Sequence, residues 1–333
     1  MLYKLARPVL IVFFIISVAL YAATFPFIKK RRTLKEKADE FLLALVLAIL
    51  PKNRMQGLEW SEKIFRLFYK LGLGKKKVLV NLNIAFGKTK SPDEIESLAK
   101  QVYRHWSYAV FDILYFRKIE RAEIDAIFQI DTPEIYEEIK KVQQEKGILL
   151  LTYHFGNSIA TCYTGLIFEN MYGYITTQTP LVDSILEQIR ERFDKKITLY
   201  KKSAYNALQI MKALKSKKIL SMAADFDVAK SDMFIPFFGT PASTPRGIYY
   251  FPVRSGCAVY LLFILRSEDH RYHFQFKKLT WADGQTEEET CMNIASAYFH
   301  ELELMTERYP EHYMWFNSRW RTRPPGDDTK FYA

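Results

Sequence analysis

Short apolar segments alternate with amphipathic ones through the second half of the chain, and this alternation most constrains the fold. Strands are predicted at 147–152, 174–178, 197–200, 218–224, 258–266 and 271–278. Helices are predicted at 158–170, 181–193, 203–215, 244–255 and 285–308. Strands and helices in alternation build a largely parallel sheet covered by helices, here with an antiparallel pair near the end. The sequence therefore predicts a mixed α/β fold.

Two further helices are predicted ahead of this region. Residues 59–74, EWSEKIFRLFYKLGLG, carry apolar side chains on one side and basic ones elsewhere. This pattern is typical of a helix that packs on its own domain and of one that lies in a membrane surface. The helix at 91–116 begins with Ser91 and has Glu94 three residues later, which is a capping-box pattern.

The N-terminal segment predicts a membrane anchor. Residues 8–28 contain no charge over 21 positions, and KKRR follows at 29–32. A helix of that length spans the hydrocarbon core of a bilayer, whereas the apolar run at 41–50 is too short and is predicted to be interfacial or buried. The basic cluster predicts that the rest of the chain faces the cytoplasm, by the positive-inside rule. A cleaved signal peptide is the competing interpretation.

Composition leaves the nature of the anionic partner open. The net charge of +11 fits nucleic acid or an anionic membrane, and aromatic residues make up 15% of the chain. The three cysteines have no CxxC spacing, so neither a disulfide framework nor a zinc site is predicted. The chain lacks the GxSxG, GxxxxGK[ST] and GxGxxG patterns. Hydrolase, P-loop and dinucleotide-binding functions therefore lack their usual motifs.

A histidine stands where the predicted strand 147–152 ends. In open α/β folds ligands gather at the carboxyl ends of strands, and His154 is placed there for chemistry. Gly156 allows backbone to approach a ligand closely, and Asn157 offers an amide beside it. A lone histidine is nevertheless more often structural than catalytic. A histidine that acts as a base is usually hydrogen-bonded to a carboxylate.

Other candidate residues follow later in the chain. MAADFD at 222–227 delivers Asp225 and Asp227 to the same edge, and 233–247 is interpreted as an apolar loop that leads into a helix. The segment 312–327 interleaves aromatic and arginine side chains, a mix that suits phosphate with acyl contact or single-stranded nucleic acid. The arginines predicted to bind substrate are Arg190, Arg246, Arg254, Arg319, Arg321 and Arg323.

Four ordered blocks resemble the bacterial lipid A biosynthesis (late) acyltransferases, relatives of the lysophospholipid acyltransferases. They are KKKVLVNLNIAFG at 75–87, KGILLLTYHFGN at 146–157, AADFD with FIPFFGTPASTPRG, and YPEHYMWFNSRWRTRPPGD at 309–327. The resemblance implies a glycerolipid acyltransferase-like mixed sheet flanked by helices. It also implies transfer of a fatty acyl chain from a thioester to a glycolipid hydroxyl, with a histidine as general base.

The family motif is His-x4-Asp/Glu, and this sequence departs from it. The histidine aligns with His154, but Ile159 stands at the position of the acid. In one reading Asp225, Asp227 or a backbone carbonyl orients His154, with Gly156 N–H or the Asn157 side chain holding the oxyanion. In a second reading the protein is a degenerate lipid-binding or partner protein. A third reading assigns the basic charge to nucleic acid, for which the anchor and acyl-site blocks have no role.

The resemblance and the anchor together complete the sequence-based prediction. Residues 1–32 are assigned to the anchor, 33–130 to a helical membrane-associated region and 131–333 to the α/β core, with 33–333 forming one structural domain. The expected location is the cytoplasmic face of the inner membrane, through a single pass. The expected partners are anionic lipids, a glycolipid acceptor such as a lipid A precursor, and acyl carrier protein or coenzyme A as acyl carrier. No metal, resident cofactor or nucleic-acid partner is predicted.

Overall fold

The computed structural model describes residues 53–116, 119–168, 171–174, 198–200 and 206–332, together with Pro51 and Gln188. The α-helices of these residues are α1 (Arg54–Lys70), α2 (Lys75–Phe86), α3 (Pro92–Phe116), α4 (Arg121–Ile127), α5 (Pro133–Gln143), α6 (Thr164–Ile167), α7 (Asn206–Lys215), α8 (Arg246–Ser255) and α9 (Glu287–Arg308). The strands are β1 (Phe128–Ile130), β2 (Ile148–Thr152), β3 (Met171–Tyr174), β4 (Thr198–Tyr200), β5 (Ile219–Ala223), β6 (Met233–Phe237), β7 (Thr240–Thr244), β8 (Ala258–Arg266) and β9 (Tyr272–Lys278). Short 3-10 helices span Ser158–Tyr163 and Pro310–His312.

The main sheet has β2 near its centre, and the predicted mixed α/β class is confirmed. Its strand order in the described residues is β1-β9-β8-β2-β5-β3-β4. All neighbours pair in parallel except β8 and β9, which form the predicted antiparallel pair. Parallel strands with both faces covered read as continuous apolar runs, and every residue of β2 is buried.

The two faces of the sheet border two separate hydrophobic clusters. Leu149 and Leu151 of β2 belong to a cluster shared with α2, α3, α8 and α9, while Ile148 and Leu150 belong to the opposite cluster. Side chains alternate across a strand, so one apolar run serves both layers. Residues of α2 and α3 therefore share a core with the sheet.

Helix α3 begins as its sequence predicts. The Ser91 backbone N–H donates to Glu94 Oε2 at 2.8 Å, and the Glu94 N–H donates to Ser91 Oγ at 3.4 Å. Each side chain thus satisfies a backbone donor that the first turn leaves unpaired. The predicted helix at 59–74 begins earlier, at Arg54, where the Asn53 side chain accepts from the Gln56 N–H.

The segment 233–247 differs from its prediction. It is not an apolar loop: β6 and β7 form an antiparallel hairpin in which Phe237 pairs with Thr240. The two-residue turn between them, Phe238–Gly239, has φ values of 51° and 69°. Two positive φ values in succession are typical of a tight hairpin turn whose twist matches the strands. Proline is uncommon within strands, so Pro236 and Pro241 made this segment resemble a loop in the sequence.

Other boundaries also differ from prediction. The expected helix at 158–170 is a 3-10 turn followed by the short α6, and the strand expected at 174–178 is described over Met171–Tyr174. No described helix is long and apolar enough to cross a membrane. The predicted span at 8–28, the apolar run at 41–50 and Arg190 lie outside the described residues. The division at 32 and 130 stays a prediction.

Candidate active site

Strand register brings His154 to a carboxylate that lies 71 residues away in sequence. In the parallel pair β2–β5, Thr152 lies opposite Ala223. His154 and Asp225 each follow those partners by two residues, so both emerge at the same carboxyl edge of the sheet. The structure thus places the histidine beside one of the two aspartates considered from the sequence.

The contact between them is bidentate. His154 Nδ1 lies 2.8 Å from Asp225 Oδ1, and the His154 backbone N–H donates to Oδ2 at 3.0 Å. Asp225 is fully buried, whereas the His154 side chain is 23% exposed. The Phe226 ring stacks on the imidazole with a centroid distance of 3.4 Å. This arrangement orients the imidazole and engages Nδ1, so Nε2 is the ring nitrogen left for a substrate proton.

A buried tyrosine ties the two strand ends together. The Tyr298 hydroxyl of α9 donates to the Thr152 carbonyl at 2.7 Å and accepts from the Ala224 N–H at 3.2 Å. Burial first, and then the charge of Asp225, raise the pKa of Tyr298 well above its usual range. Tyr298 therefore remains a hydroxyl donor at neutral pH, and it holds the residues that precede His154 and Asp225.

The C-terminal segment clamps the His154 loop from the other side. Phe155 forms an antiparallel bridge with Tyr313, and the Met314 N–H donates to the His154 carbonyl at 3.0 Å. The Gly156 N–H donates to the His312 carbonyl at 2.9 Å. The backbone from His154 to Gly156 is therefore held by residues more than 150 positions away.

Gly156 and Asn157 are both engaged within the protein. Gly156 has a φ of 62°, and a Cβ there would collide with the Ile264 carbonyl oxygen. Asn157 is 1% exposed, and its Nδ2 donates to the Tyr272 hydroxyl at 3.3 Å. The Gly156 N–H is not available for an oxyanion in this conformation, because it already donates to His312. Both residues shape the loop here, and their predicted contacts with substrate stay predictions.

Gly156→Ala is expected to cost about 4 kcal/mol or more of folding free energy, because strain at a positive φ adds to the collision with backbone. Gly239→Ala is the matched control, since Gly239 has a φ of 69° but no atom within 4 Å of an added Cβ. The control carries only the conformational strain, about 1–2 kcal/mol. Thermal unfolding of both variants measures the difference, and equal losses would contradict it.

A buried hydrogen-bond chain behind the loop was missed by sequence reasoning. Arg54 Nε and Nη2 donate to the two carboxylate oxygens of Asp112 at 2.8 and 2.7 Å. The Tyr272 hydroxyl donates to Asp112 Oδ2 at 2.7 Å and accepts from Asn157. The chain links the start of α1 through α3 and β9 to the His154 loop. A carboxylate within the apolar run YAVFDILYF of α3 was the available signal.

Asp112→Asn is expected to lower the free energy of unfolding by about 3–5 kcal/mol, because it leaves the nearly buried Arg54 without its carboxylate partner. Side-chain exposure in this pair is 12% for Arg54 and 0% for Asp112. Glu287→Gln is the matched control, because its pair with Arg254 is about half exposed on both sides. Such surface pairs contribute little. Similar losses in the two variants would rule out this role of the buried chain.

Asp227 does not contact His154 in this structure. Its Oδ1 accepts from Ser243 Oγ at 2.8 Å and from the Thr322 N–H at 3.0 Å, and its Oδ2 accepts from Thr322 Oγ1 at 3.1 Å. Asp227 thereby joins β7 to the C-terminal segment. Of the two aspartates, Asp225 is the one that the fold presents to the imidazole.

The predicted substrate-binding arginines that the structure describes are each engaged by groups of the protein itself. Arg246 lies 3.1 Å from carboxylate oxygens of both Asp232 and Glu288, and Arg254 pairs with Glu287. These carboxylates already balance the arginine charges. A role of Arg246 and Arg254 in phosphate binding stays a prediction.

The arginines of the C-terminal segment are divided between core and surface. Arg319 is 1% exposed, and its Nη1 donates to the Ser243 carbonyl at 2.6 Å. Arg323 pairs with Asp327, while Arg321 is exposed and donates to Ser318 Oγ at 3.0 Å. The interleaved Trp315 and Trp320 are fully buried. They are core residues, so they offer no surface for stacking bases.

Residues 26–322 match the family described as bacterial lipid A biosynthesis acyltransferase. The chain belongs to this family. The matched residues include His154, Asp225 and the C-terminal residues 312–314 that hold the backbone after His154. The resemblance drawn from the four sequence blocks is therefore confirmed.

Curated relatives are distant in sequence. The chain is similar to the lipid A biosynthesis palmitoleoyltransferase of Escherichia coli (strain K12), with 27% identity over 198 residues that cover 58% of this chain and 62% of the relative. Similarity to the lipid A biosynthesis lauroyltransferase of the same organism is 26% over 200 residues, or 59% of this chain and 63% of the relative. The matched region thus spans less than two thirds of each relative.

Proposed function

We propose that this family member moves a fatty acyl chain from an acyl thioester to a hydroxyl of a glycolipid such as a lipid A precursor. The observation that carries the proposal is the His154–Asp225 pair at the carboxyl edge of the sheet, with Nδ1 held at 2.8 Å and the ring partly exposed. Family membership and the names of the two relatives support the same reaction class.

In the proposed chemistry His154 acts first as a general base and then as a general acid. His154 Nε2 takes the proton of the acceptor hydroxyl as its oxygen bonds to the thioester carbonyl carbon. Asp225 stabilises the resulting imidazolium through Nδ1. The tetrahedral intermediate then re-forms the carbonyl as the carbon–sulfur bond breaks, and the imidazolium returns its proton to the thiolate. The products are the acylated lipid and a free thiol.

Asp225 supports the active reading over the degenerate one. The family acid at the fourth position after the histidine is replaced by Ile159. A carboxylate that reaches Nδ1 from the neighbouring strand supplies the same orientation and charge. Burying a charge is costly. A site without activity would gain nothing from a buried aspartate that contacts both the ring and the backbone of His154, so its presence favours an active site.

The proposed setting is the cytoplasmic face of the inner membrane. The acceptor is a membrane glycolipid, and the net charge of +11 favours contact with anionic lipids. The uncharged run at 8–28 is proposed to anchor the chain by a single pass. Acyl carrier protein or coenzyme A carries the acyl group as co-substrate, and the proposed reaction uses no metal or resident cofactor.

Lipid analysis of a strain that lacks this chain tests the proposal. Mass spectrometry is expected to show loss of a glycolipid species and gain of one lighter by a single acyl chain. The wild-type chain is expected to restore the heavier species, whereas His154→Ala is not. An unchanged lipid profile, or restoration by His154→Ala, would contradict the proposal. Purified chain supplied with acyl carrier protein or coenzyme A thioesters then distinguishes the two donors.

A further inference from the structure

The turn between α1 and α2 projects two leucines into solvent. Leu71 and Leu73 are 58% and 50% exposed, and each is followed by a glycine with positive φ, 71° at Gly72 and 78° at Gly74. Isolated exposed leucines are common, but two on one short turn form a compact apolar tip. Polar residues are usual in such turns, so the exposure of two leucines here requires a physical explanation.

The tip is held rigidly. The Leu73 N–H donates to the Phe68 carbonyl at 3.0 Å, and the Tyr103 hydroxyl donates to the Leu73 carbonyl at 2.5 Å. Tyr103 packs edge-on against Phe316 with a centroid distance of 4.9 Å. Phe316 belongs to the C-terminal segment that clamps the His154 loop. The leucine tip therefore has a defined position relative to the candidate active site.

The helix that follows the tip, α2, is also partly apolar on its outer face. An open groove of about 520 Å³ is lined by Lys76, Leu79, Val80, Asn83, Ile84 and Phe331. The α2 residues of this set recur at helical spacing, so they form one face of the helix. The opposite face, with Val78, Leu82 and Phe86, is buried in the core. Leu79, Ile84 and Phe331 are only partly buried where they pack against that core, so the groove leaves part of the apolar surface of α2 open.

The segments that carry this apolar surface are rich in basic residues. Between residues 59 and 90 the sequence has eight Lys and Arg residues and only two Glu. Lys63, Arg66 and Lys70 of α1 are exposed, and Arg66 pairs with Glu62. Lys75 lies 4.4 Å from the Tyr69 ring centroid and pairs with Glu96 at 2.6 Å. An apolar tip between basic segments matches the interface of an anionic bilayer, where leucines enter the acyl boundary and lysines stay at the phosphates.

We propose that the Leu71–Gly74 turn and the open face of α2 form a bilayer-contact surface that inserts into anionic lipid. The inference deepens the proposed function, on which it rests for its membrane-lipid acceptor. Insertion of the tip sets the orientation of the body on the membrane and, through Phe316, the position of the His154 loop. An amphipathic helix lying flat would need no such tip.

The test places a fluorescent reporter on the tip of the full chain. Leu73→Cys is labelled with an environment-sensitive dye in nanodiscs of phosphatidylcholine, with or without phosphatidylglycerol, that contain a doxyl-labelled quencher lipid. Leu208→Cys on α7 is the matched control, because Leu208 is 73% exposed. Cys162→Ser is included in both. Cys257 and Cys291 are buried, and burial raises the pKa of each thiol to about 11, so they label poorly.

The tip reporter is expected to shift to the blue and to be quenched by doxyl lipid, more strongly with phosphatidylglycerol, while the Leu208 reporter stays in water. Lys70→Glu in the Leu73→Cys background is expected to reduce the quenching in anionic discs. Equal quenching at both positions, none at Leu73, or no dependence on anionic lipid would overturn the proposal. A blue shift of the Leu73 reporter without quenching by doxyl lipid would also overturn the proposal, because it would indicate that this surface contacts protein rather than lipid. None of these readouts requires acyl transfer, so loss of activity and loss of insertion are distinguishable.

Discussion

His154→Gln is expected to lower the turnover of acyl transfer by about three orders of magnitude while leaving thermal unfolding nearly unchanged. General-base catalysis by a positioned side chain contributes about 10²–10⁴-fold. Glutamine fills similar space and can still hydrogen-bond, but it cannot accept the hydroxyl proton. Turnover at saturating acyl thioester, together with the melting temperature of the purified chain, measures both effects.

His273→Gln is the matched control for this experiment. His273 also has a carboxylate partner, with Nδ1 2.7 Å from Asp131 Oδ1, but its Nε2 lies 3.1 Å from Ser267 Oγ. Both ring nitrogens of His273 are thus engaged by protein groups, and β9 lies two strands away from β2 in the sheet. Turnover close to wild type is expected for His273→Gln. Activity that survives His154→Gln would require abandoning the histidine mechanism.

Asp225→Asn is expected to lower turnover by about three to four orders of magnitude, because the amide neither stabilises an imidazolium nor maintains the histidine tautomer that a carboxylate selects. The carboxylate accepts from both the His154 ring and its backbone N–H, so the variant should also lose some stability. Turnover as a function of pH separates these effects, since an altered protonation of His154 changes the pH profile and a simple loss of folded protein does not.

Asp227→Asn is the control that separates the two aspartates. Asp227 binds Ser243 and Thr322, so its replacement is expected to lower the melting temperature and to spare the turnover of the folded fraction. Ile159→Glu, which rebuilds the family spacing, is expected to add little in the wild-type background because Asp225 already occupies Nδ1. Equal turnover in the Asp225 and Asp227 variants, or a large gain from Ile159→Glu, would favour the degenerate reading.

The strand ends could be predicted because their signal is local. Five consecutive buried positions in β2 require an apolar run, and the first polar residues after it mark where the strand leaves the core. His154 and Asp225 were therefore both predicted to lie at the carboxyl edge. The hydrogen-bonded register of β2 and β5 was not available from sequence, because two parallel strands can pair in several registers without changing their apolar pattern.

The arginines predicted to bind substrate show what could not be predicted from the sequence. Arg246 carries no local sign that Asp232 and Glu288 compensate it, since one of these acids is 42 residues away. The aromatic and arginine mix at 312–327 reads as a ligand surface in sequence, but its tryptophans complete the core. An amphipathic side chain suits a binding surface and a core equally well, so composition alone does not distinguish them.

The sequence by itself determined the alternation of strands and helices, the capping of α3, the edge of the sheet at which His154 lies, and the family. These features depend on short windows of burial pattern and on ordered motifs. Only the tertiary structure decided that Asp225 rather than Asp227 meets the imidazole, that Arg54, Asp112 and Tyr272 support Asn157, and that Leu71 and Leu73 are at least half exposed at their turn. Each of these depends on contacts between distant segments, because hydrogen-bond register, ion pairing and exposure are set only when those segments pack.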